Sequence, residues 1–117
     1  MKRNYRLTHS NDFKRVRNTG KSFAHPLVVI VVAEGHVDNV RAGIVATKAV
    51  GGAVERNTIK RRLKEIITPL LPGFTANVDL IIIAREPALK ASYSDLQSAI
   101  IGLLGKAGLV VSNDYDS

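Results

Sequence analysis

The chain contains no cysteine and no tryptophan, and its aromatic side chains are limited to three Phe and three Tyr. The absence of cysteine excludes disulfide scaffolds, thiolate metal sites and cysteine nucleophiles. With so few aromatic residues, a core has to be built mostly from Val, Ile, Leu and Ala. Such a core is feasible, because 117 residues of which 45% are hydrophobic suit one domain that hides about two-thirds of its unfolded surface.

Long hydrophobic runs are also missing. The longest, residues 27–33 and 80–84, are too short to cross a bilayer, which takes about 20 apolar residues. Residues 1–22 are polar and basic and do not resemble a signal peptide. We therefore expect a cytoplasmic protein with one domain over residues 1–111, followed by a disordered acidic tail over residues 112–117.

Acidic residues are scarce in the first part of the chain. Residues 1–64 hold fourteen Lys and Arg against four Asp and Glu, whereas residues 65–117 hold three against six. This asymmetry favours a polyanionic partner such as nucleic acid, the alternative being a generically basic protein. The three histidines are scattered, and no nucleophile, metal cluster or phosphate-binding glycine loop is recognisable. We therefore predict no catalytic and no metal-binding residues in the protein itself.

Hydrophobic periodicity and turn residues predict the order of elements. Helices are predicted from Thr8 or Ser10 to just before Gly20, over residues 53–68 and from Ser92, where Asp95 three residues on forms a variant of the capping box. Strands are predicted at residues 20–24, 27–33, 40–47 and 78–84. The strands at 27–33 and 40–47 are expected to form a hairpin. The order α-β-β-β-α-β-α predicts a two-layer α/β sandwich with a sheet of about four strands.

The helix over residues 53–68 separates into two faces on a helical wheel. Its apolar arc comprises Ile59, Leu63, Ile66, Ile67 and Leu70, and the adjoining arc comprises Arg56, Asn57, Lys60, Arg61 and Lys64. Cations spaced four residues apart repel each other, and those in the first turn oppose the helix dipole. A bound polyanion offsets both effects, so we expect this arc to contact phosphates rather than to be a merely solvated charged face.

The residues that precede this helix allow more than one interpretation. Gly51 and Gly52 form either a tight turn, which we favour, or a set of backbone N–H groups open to a phosphate. Arg41 and Lys48 lie on or just after the preceding strand. Each of these two side chains is either an RNA contact or a solvated strand residue.

The stretch "RAGIVATKAVGGAVERNTIKRRLKEI" resembles the protein subunit of bacterial ribonuclease P. The shared motif joins an Arg-x-Gly strand and a Lys-containing turn to G-x-A-V and R-N-x-x-K-R on a helix. Its residues here are Arg41, Gly43, Lys48, Gly51, Ala53, Val54, Arg56, Asn57, Lys60 and Arg61. Similar segments near both ends, "SNDFKRV" and "DLIIIAREPA", extend the resemblance over about residues 3–107.

The resemblance implies a function and the partners that go with it. The family assists a catalytic RNA, which uses Mg²⁺, in removing the 5′ leader from precursor tRNA; the protein itself binds no cofactor and no small-molecule substrate. The family's fold implies a left-handed strand–helix–strand crossover, although such crossovers are generally right-handed. A structural RNA-binding module, such as a ribosomal protein of similar fold, is the alternative.

The resemblance also implies two binding surfaces. The surface for the catalytic RNA comprises Arg41, Lys48, Arg56, Asn57, Lys60, Arg61 and Lys64. A cleft for the single-stranded leader comprises Phe13, Arg17, Val31 and Arg85, where Phe13 either stacks on a base or belongs to the core. Gly52 replaces a usual Asn, and Arg17 and Val31 replace usual aromatic residues, so leader binding is expected to depend more on charge than on stacking.

Overall fold

A four-stranded mixed sheet organises the protein, whose computed structural model describes residues 1–109. The strands are β1 (Lys21–Ala24), β2 (Val28–Glu34), β3 (Arg41–Ala46) and β4 (Val78–Ala84). Their order across the sheet is β1-β2-β4-β3. β2 runs antiparallel to both β1 and β4, and β3 runs parallel to β4.

The predicted hairpin between the second and third strands is wrong, because β4 lies between them. Every residue of β2 pairs with one of β4, from Val28 opposite Ala84 to Glu34 opposite Val78. β4 carries a continuous apolar run that is buried on both faces. A strand with two apolar faces is best shielded from water at the centre of a sheet, where both faces are covered. The turn residues between β2 and β3 give no indication that β4 lies between these two strands in the sheet.

Three α-helices occur within residues 1–109: α1 (Ser10–Thr19), α2 (Ala53–Ile67) and α3 (Tyr93–Lys106). The predicted α/β class and order of elements are therefore confirmed. Short 3₁₀ turns lie at Arg3–Tyr5, Thr68–Gly73 and Glu86–Lys90. α3 has the predicted cap, since the Ser92 hydroxyl accepts a hydrogen bond from the backbone N–H of Asp95 at 3.0 Å, which satisfies a donor that the helix cannot.

The main hydrophobic core lies between the sheet and the pair α2 and α3. The predicted apolar arc of α2 is confirmed, because Ile59, Leu63, Ile66 and Ile67 are all buried there, as is Leu70 in the turn that follows. The opposite face of the sheet carries α1 over a smaller cluster, which comprises Leu7, Val16, Val31, Ala33 and Ile81. Because side chains alternate along a strand, successive residues of β4 pack alternately into the main core and into the smaller cluster.

β3, α2 and β4 form the strand–helix–strand unit, and the left-handed sense implied by the resemblance stays a prediction. None of the described helices is long and apolar enough to cross a membrane. The predicted tail, residues 112–117, lies outside the described residues.

Candidate nucleic-acid interface

A groove runs along β3, the edge strand of the sheet, between α1 and α2. It consists of two adjoining hollows of about 470 and 490 Å³ that share Thr8, Phe13, Ile44 and Lys60. The N-terminal segment pairs with the start of this edge, where the Leu7 backbone N–H donates to the Ala42 carbonyl at 3.0 Å. We call this feature the edge groove.

One wall of the edge groove is the polar arc of α2 without Arg56, which lines neither hollow. Asn57, Lys60, Arg61 and Lys64 all line the first hollow, as expected for residues that share one side of a helix. Within residues 1–109 the ion pairs all involve Arg15 or Arg41, so these α2 cations have no described carboxylate partner. The wall therefore presents positive charge that the described part of the protein does not neutralise.

The entrance to α2 is a closed glycine turn. Gly51 has a φ of 150°, a conformation that favours glycine, and its N–H donates to the Lys48 carbonyl at 3.2 Å. The Gly52 N–H donates to Glu55 Oε1 at 2.8 Å, and Arg56 Nη1 donates to the Gly51 carbonyl at 3.0 Å. Both glycine N–H groups are thus engaged within the chain, which supports the tight turn over an open phosphate site.

The other wall of the edge groove is α1. Phe13 is half-buried, packs against the smaller cluster and lines both hollows. A Cβ on Gly43 would lie only 2.4 Å from Phe13 Cζ, so the glycine of the Arg-x-Gly strand lets the ring lie directly on β3. Lys14 and Arg17 are exposed and line the second hollow. Phe13 therefore packs against the smaller cluster and also lines the groove, and its stacking on a base stays a prediction.

A network of ion pairs lies under α1. Asp79 on β4 is fully buried; Arg41 on β3 donates to it through Nε at 2.9 Å and through Nη2 at 2.8 Å, and Arg15 on α1 also donates to it. Burial raises the pKa of Asp79, but hydrogen bonds from Arg41 and Arg15 outweigh it and hold the pKa below the usual value. The hydrogen bonds that Arg41 donates to Asp79 raise the pKa of Arg41 in turn.

A family model described as Ribonuclease P matches residues 1–108, which is nearly the whole chain. The chain belongs to the ribonuclease P protein family. Its function is accordingly that of the family, an RNA-binding subunit of the endoribonuclease that processes the 5′ end of precursor tRNA.

Similar proteins share this family. The ribonuclease P protein component of Chloroflexus aurantiacus is 39% identical over 111 residues, which are 94% of this chain and 82% of that protein. The one from Streptococcus pneumoniae is 33% identical over 104 residues, 89% of this chain and 85% of that protein. The structure of the Staphylococcus aureus RNase P protein has a TM-score of 0.83 at 30% identity and covers 92% of this chain and 98% of its own.

Five residues that the ribonuclease P resemblance assigned to a binding surface line neither hollow, and Lys48 and Arg56 are two of them. Val31 is 6% exposed and packs with Val16 of α1 in the smaller cluster, so it offers a leader little surface; its place in the leader cleft stays a prediction. Arg85 is exposed but lines neither hollow; its Nη1 donates to the His25 carbonyl at 3.4 Å. Arg41 uses its forked donors on Asp79, so the structure gives it an internal contact instead of a free guanidinium.

Sequence reasoning also missed residues that do line the edge groove of this ribonuclease P protein. Met1, Arg6 and Thr8 belong to the first hollow, and Arg6 forms a parallel bridge with Ala42 of β3. The segment before α1 shows no periodic pattern, so nothing in it predicts that it returns to the sheet edge. The basic character of residues 2–6 was the one available signal.

Proposed function

We propose that this chain binds the catalytic RNA of ribonuclease P through the polar arc of α2 and holds the 5′ leader of precursor tRNA in the edge groove. The observation that carries the proposal is the row of cations on α2 that lacks described acidic partners and stands beside a groove with an aromatic wall. In this arrangement the protein positions two RNA molecules, and the RNA subunit carries out the hydrolysis.

The α2 side of the proposal is supported by the chemistry of its side chains. Its members are Arg56, Asn57, Lys60, Arg61 and Lys64, with Lys48 in the turn before the helix. Guanidinium groups make forked contacts with phosphate, ammonium groups make point contacts, and the amide of Asn57 both donates and accepts. Because these groups share one helix side, a single ribose-phosphate strand can contact several of them at once.

The leader side of the proposal is supported by the composition of the groove. The half-buried ring of Phe13 offers a face on which an unpaired base can stack, an interaction that tolerates any base sequence. Lys14 and Arg17, which are exposed beside it, attract the phosphates that flank such a base. Stacking together with charge suits a leader whose sequence differs from one precursor tRNA to another.

The proposal assigns Mg²⁺ to the RNA subunit, because ammonium and guanidinium groups on α2 repel a divalent cation and attract phosphate. Residues 1–109 contain no group of three or more His, Asp and Glu close enough together to hold a metal ion. The proposal places the protein in the cytoplasm, where bacterial precursor tRNA is made.

A reconstitution assay tests the proposal. Purified protein is added to catalytic RNA and precursor tRNA at low Mg²⁺ concentration, and 5′ processing is measured against the RNA alone. We expect faster processing with the unaltered chain, because its cations replace part of the counterions that the RNA complex needs. We expect little stimulation from Lys60→Glu combined with Arg61→Glu.

The matched control carries Lys90→Glu and Lys106→Glu, two exposed positions outside the edge groove, and should stimulate as the unaltered chain does. No gain over RNA alone, or an equal loss in both double variants, contradicts the proposal. Association with ribosomal subunits without stimulated processing would point to the structural RNA-binding module instead.

A further inference from the structure

The ion-pair network under α1 connects three elements of the fold. Asp79 lies on β4, Arg41 on β3, and Asp12 and Arg15 on α1. Asp79 accepts from both arginines, and Asp12 lies 3.3 Å from Arg15 Nη2 and 3.7 Å from Arg41 Nη1. The network accounts for every ion pair among the described residues, so pairing of charge in this part of the chain is concentrated at one place.

Arg15 turns its donors toward the sheet. Its Nη1 donates to the Glu34 carbonyl at the end of β2 at 3.0 Å, and its Nη2 donates to Asp12 and Asp79. Its side chain is 20% exposed, and it lines neither hollow of the edge groove. Although Arg15 is basic and lies on α1, it is not arranged as an RNA contact.

Apolar packing alone holds α1 weakly. Val16 is the one fully buried side chain of this ten-residue helix, and Phe13 adds a half-buried ring. Hydrophobic burial is non-directional, so two apolar contacts leave the rotation of a short helix about its axis poorly defined. Charge-assisted hydrogen bonds from a guanidinium are directional, and those from Arg15 define that rotation.

We propose that Asp79, Arg41 and Arg15 form a positioning device that sets the rotation of α1 and thereby holds the Phe13 ring at the wall of the edge groove. This inference rests on the proposed function, because it assigns the device to leader binding. The buried side of α2 packs in the main core on the other face of the sheet, and no ion pair among the described residues joins the α2 cations to the network. The device therefore acts on the affinity for the leader and leaves the affinity for the catalytic RNA unchanged.

The test uses the reconstituted complex of protein and catalytic RNA. The affinity of this complex is measured for precursor tRNA with a long leader and for precursor tRNA with a truncated leader. The ratio of the first affinity to the second is the leader-dependent gain in affinity. Arg15→Gln should reduce that gain about fivefold to tenfold, the size expected when a coupled contact is lost. Arg15→Lys, which keeps the charge, should restore part of it, and Lys106→Gln serves as the charge-matched control.

A second substitution separates positioning from general structural damage. Phe13→Leu should itself reduce the leader-dependent gain, and adding Arg15→Gln to it should cost little more, because Arg15 acts through the ring. In all of these variants the affinity of the protein for the catalytic RNA should stay within about twofold, the scatter expected for distant sites.

Each other outcome overturns the inference in a different way. If Arg15→Gln leaves the leader-dependent gain unchanged, the network does not position α1 for leader binding. If Arg15→Gln reduces the gain as much in the Phe13→Leu background as in the unaltered chain, Arg15 does not act through Phe13. An equal loss of affinity for the catalytic RNA means that the network merely supports the fold. If Phe13→Leu alone has no effect on leader affinity, the leader part of the proposed function fails instead.

Discussion

At the scale of single residues, the requirement for glycine at position 43 is explained by one close approach. Phe13 lies on β3 where any larger residue than glycine would occupy the same space as its ring. Two of the elements that build the edge groove, α1 and β3, thus meet at a point where a methyl group does not fit. This contact gives the glycine of the Arg-x-Gly strand a steric reason that is separate from RNA chemistry.

Gly43→Ala should therefore destabilise the protein by about 1–3 kcal/mol, the usual cost of overpacking. The added methyl group would lie 2.4 Å from Phe13 Cζ, so the ring or the strand has to shift. Urea unfolding measures the free energy. The cost should be smaller in a Phe13→Leu background, and equal costs in the two backgrounds would contradict the explanation.

The control for this substitution is Gly102→Ala on α3. A Cβ at Gly102 meets nothing within 4 Å, and alanine is a better helix former than glycine by up to about 1 kcal/mol. We expect this variant to be as stable as the unaltered protein or slightly more stable.

At the scale of elements, α2 has two independent tasks on two sides. Its buried arc anchors it in the main core through residues such as Ile59 and Leu63, and its polar arc faces the edge groove. Repulsion among the cations costs a few tenths of a kcal/mol per pair, which burial of the apolar arc outweighs by far. The polar arc can thus serve RNA binding without endangering the helix.

Lys60→Ala should weaken binding to the catalytic RNA and reduce the slope of log K against log salt by about one unit, the amount for one lost phosphate contact. Lys60 lines both hollows and lies off the apolar arc, so thermal stability should hardly change. Titrations at several salt concentrations measure the slope, with Lys106→Ala as the control. An unaltered slope would mean that Lys60 does not reach a phosphate.

At the scale of the whole molecule, Asp79 joins α1 to the middle of the sheet. It is the buried charged residue among those described, and its two arginine partners come from positions 38 and 64 residues away. Breaking a buried pair by removing one partner typically costs about 3–5 kcal/mol. The attachment of α1 to the sheet therefore depends on the Asp79 carboxylate being ionised.

The network predicts a specific acid sensitivity. The pKa of Asp79 is lowered in the folded protein, so as pH falls the unfolded chain takes up the proton first and unfolding is favoured. The contribution is complete above about pH 4, the ordinary value of an aspartate, and is lost as pH falls through the lower folded pKa. The free energy of unfolding, measured against pH, reports this loss.

Asp79→Asn should remove that dependence. The variant should be less stable than the unaltered protein at pH 7, and the two unfolding free energies should converge as pH falls below about 4. Asp38→Asn, which changes an exposed aspartate between β2 and β3, is the control. A constant difference between Asp79→Asn and the unaltered chain at all pH values would contradict the role of the network.

The sequence by itself determined the features that depend on neighbours a few residues apart. The two arcs of α2 follow from the helical period, the cap of α3 from Ser92, and the order of the elements from runs and turns. The motif residues around Arg56 and Asn57 were enough to indicate the ribonuclease P family. All of these features are local, because a helix face or a cap involves contacts within about four residues.

Only the tertiary structure decided what depends on distant neighbours. The insertion of β4 between β2 and β3, the burial of Val31 under α1 and the pairing of Arg41 with Asp79 each join segments that are far apart in the chain. Which arginine is held inside and which lines the edge groove follows from strand register and helix placement. Arg41 and Arg61 have the same chemistry, but Arg41 donates to the buried Asp79 whereas Arg61 lines the first hollow.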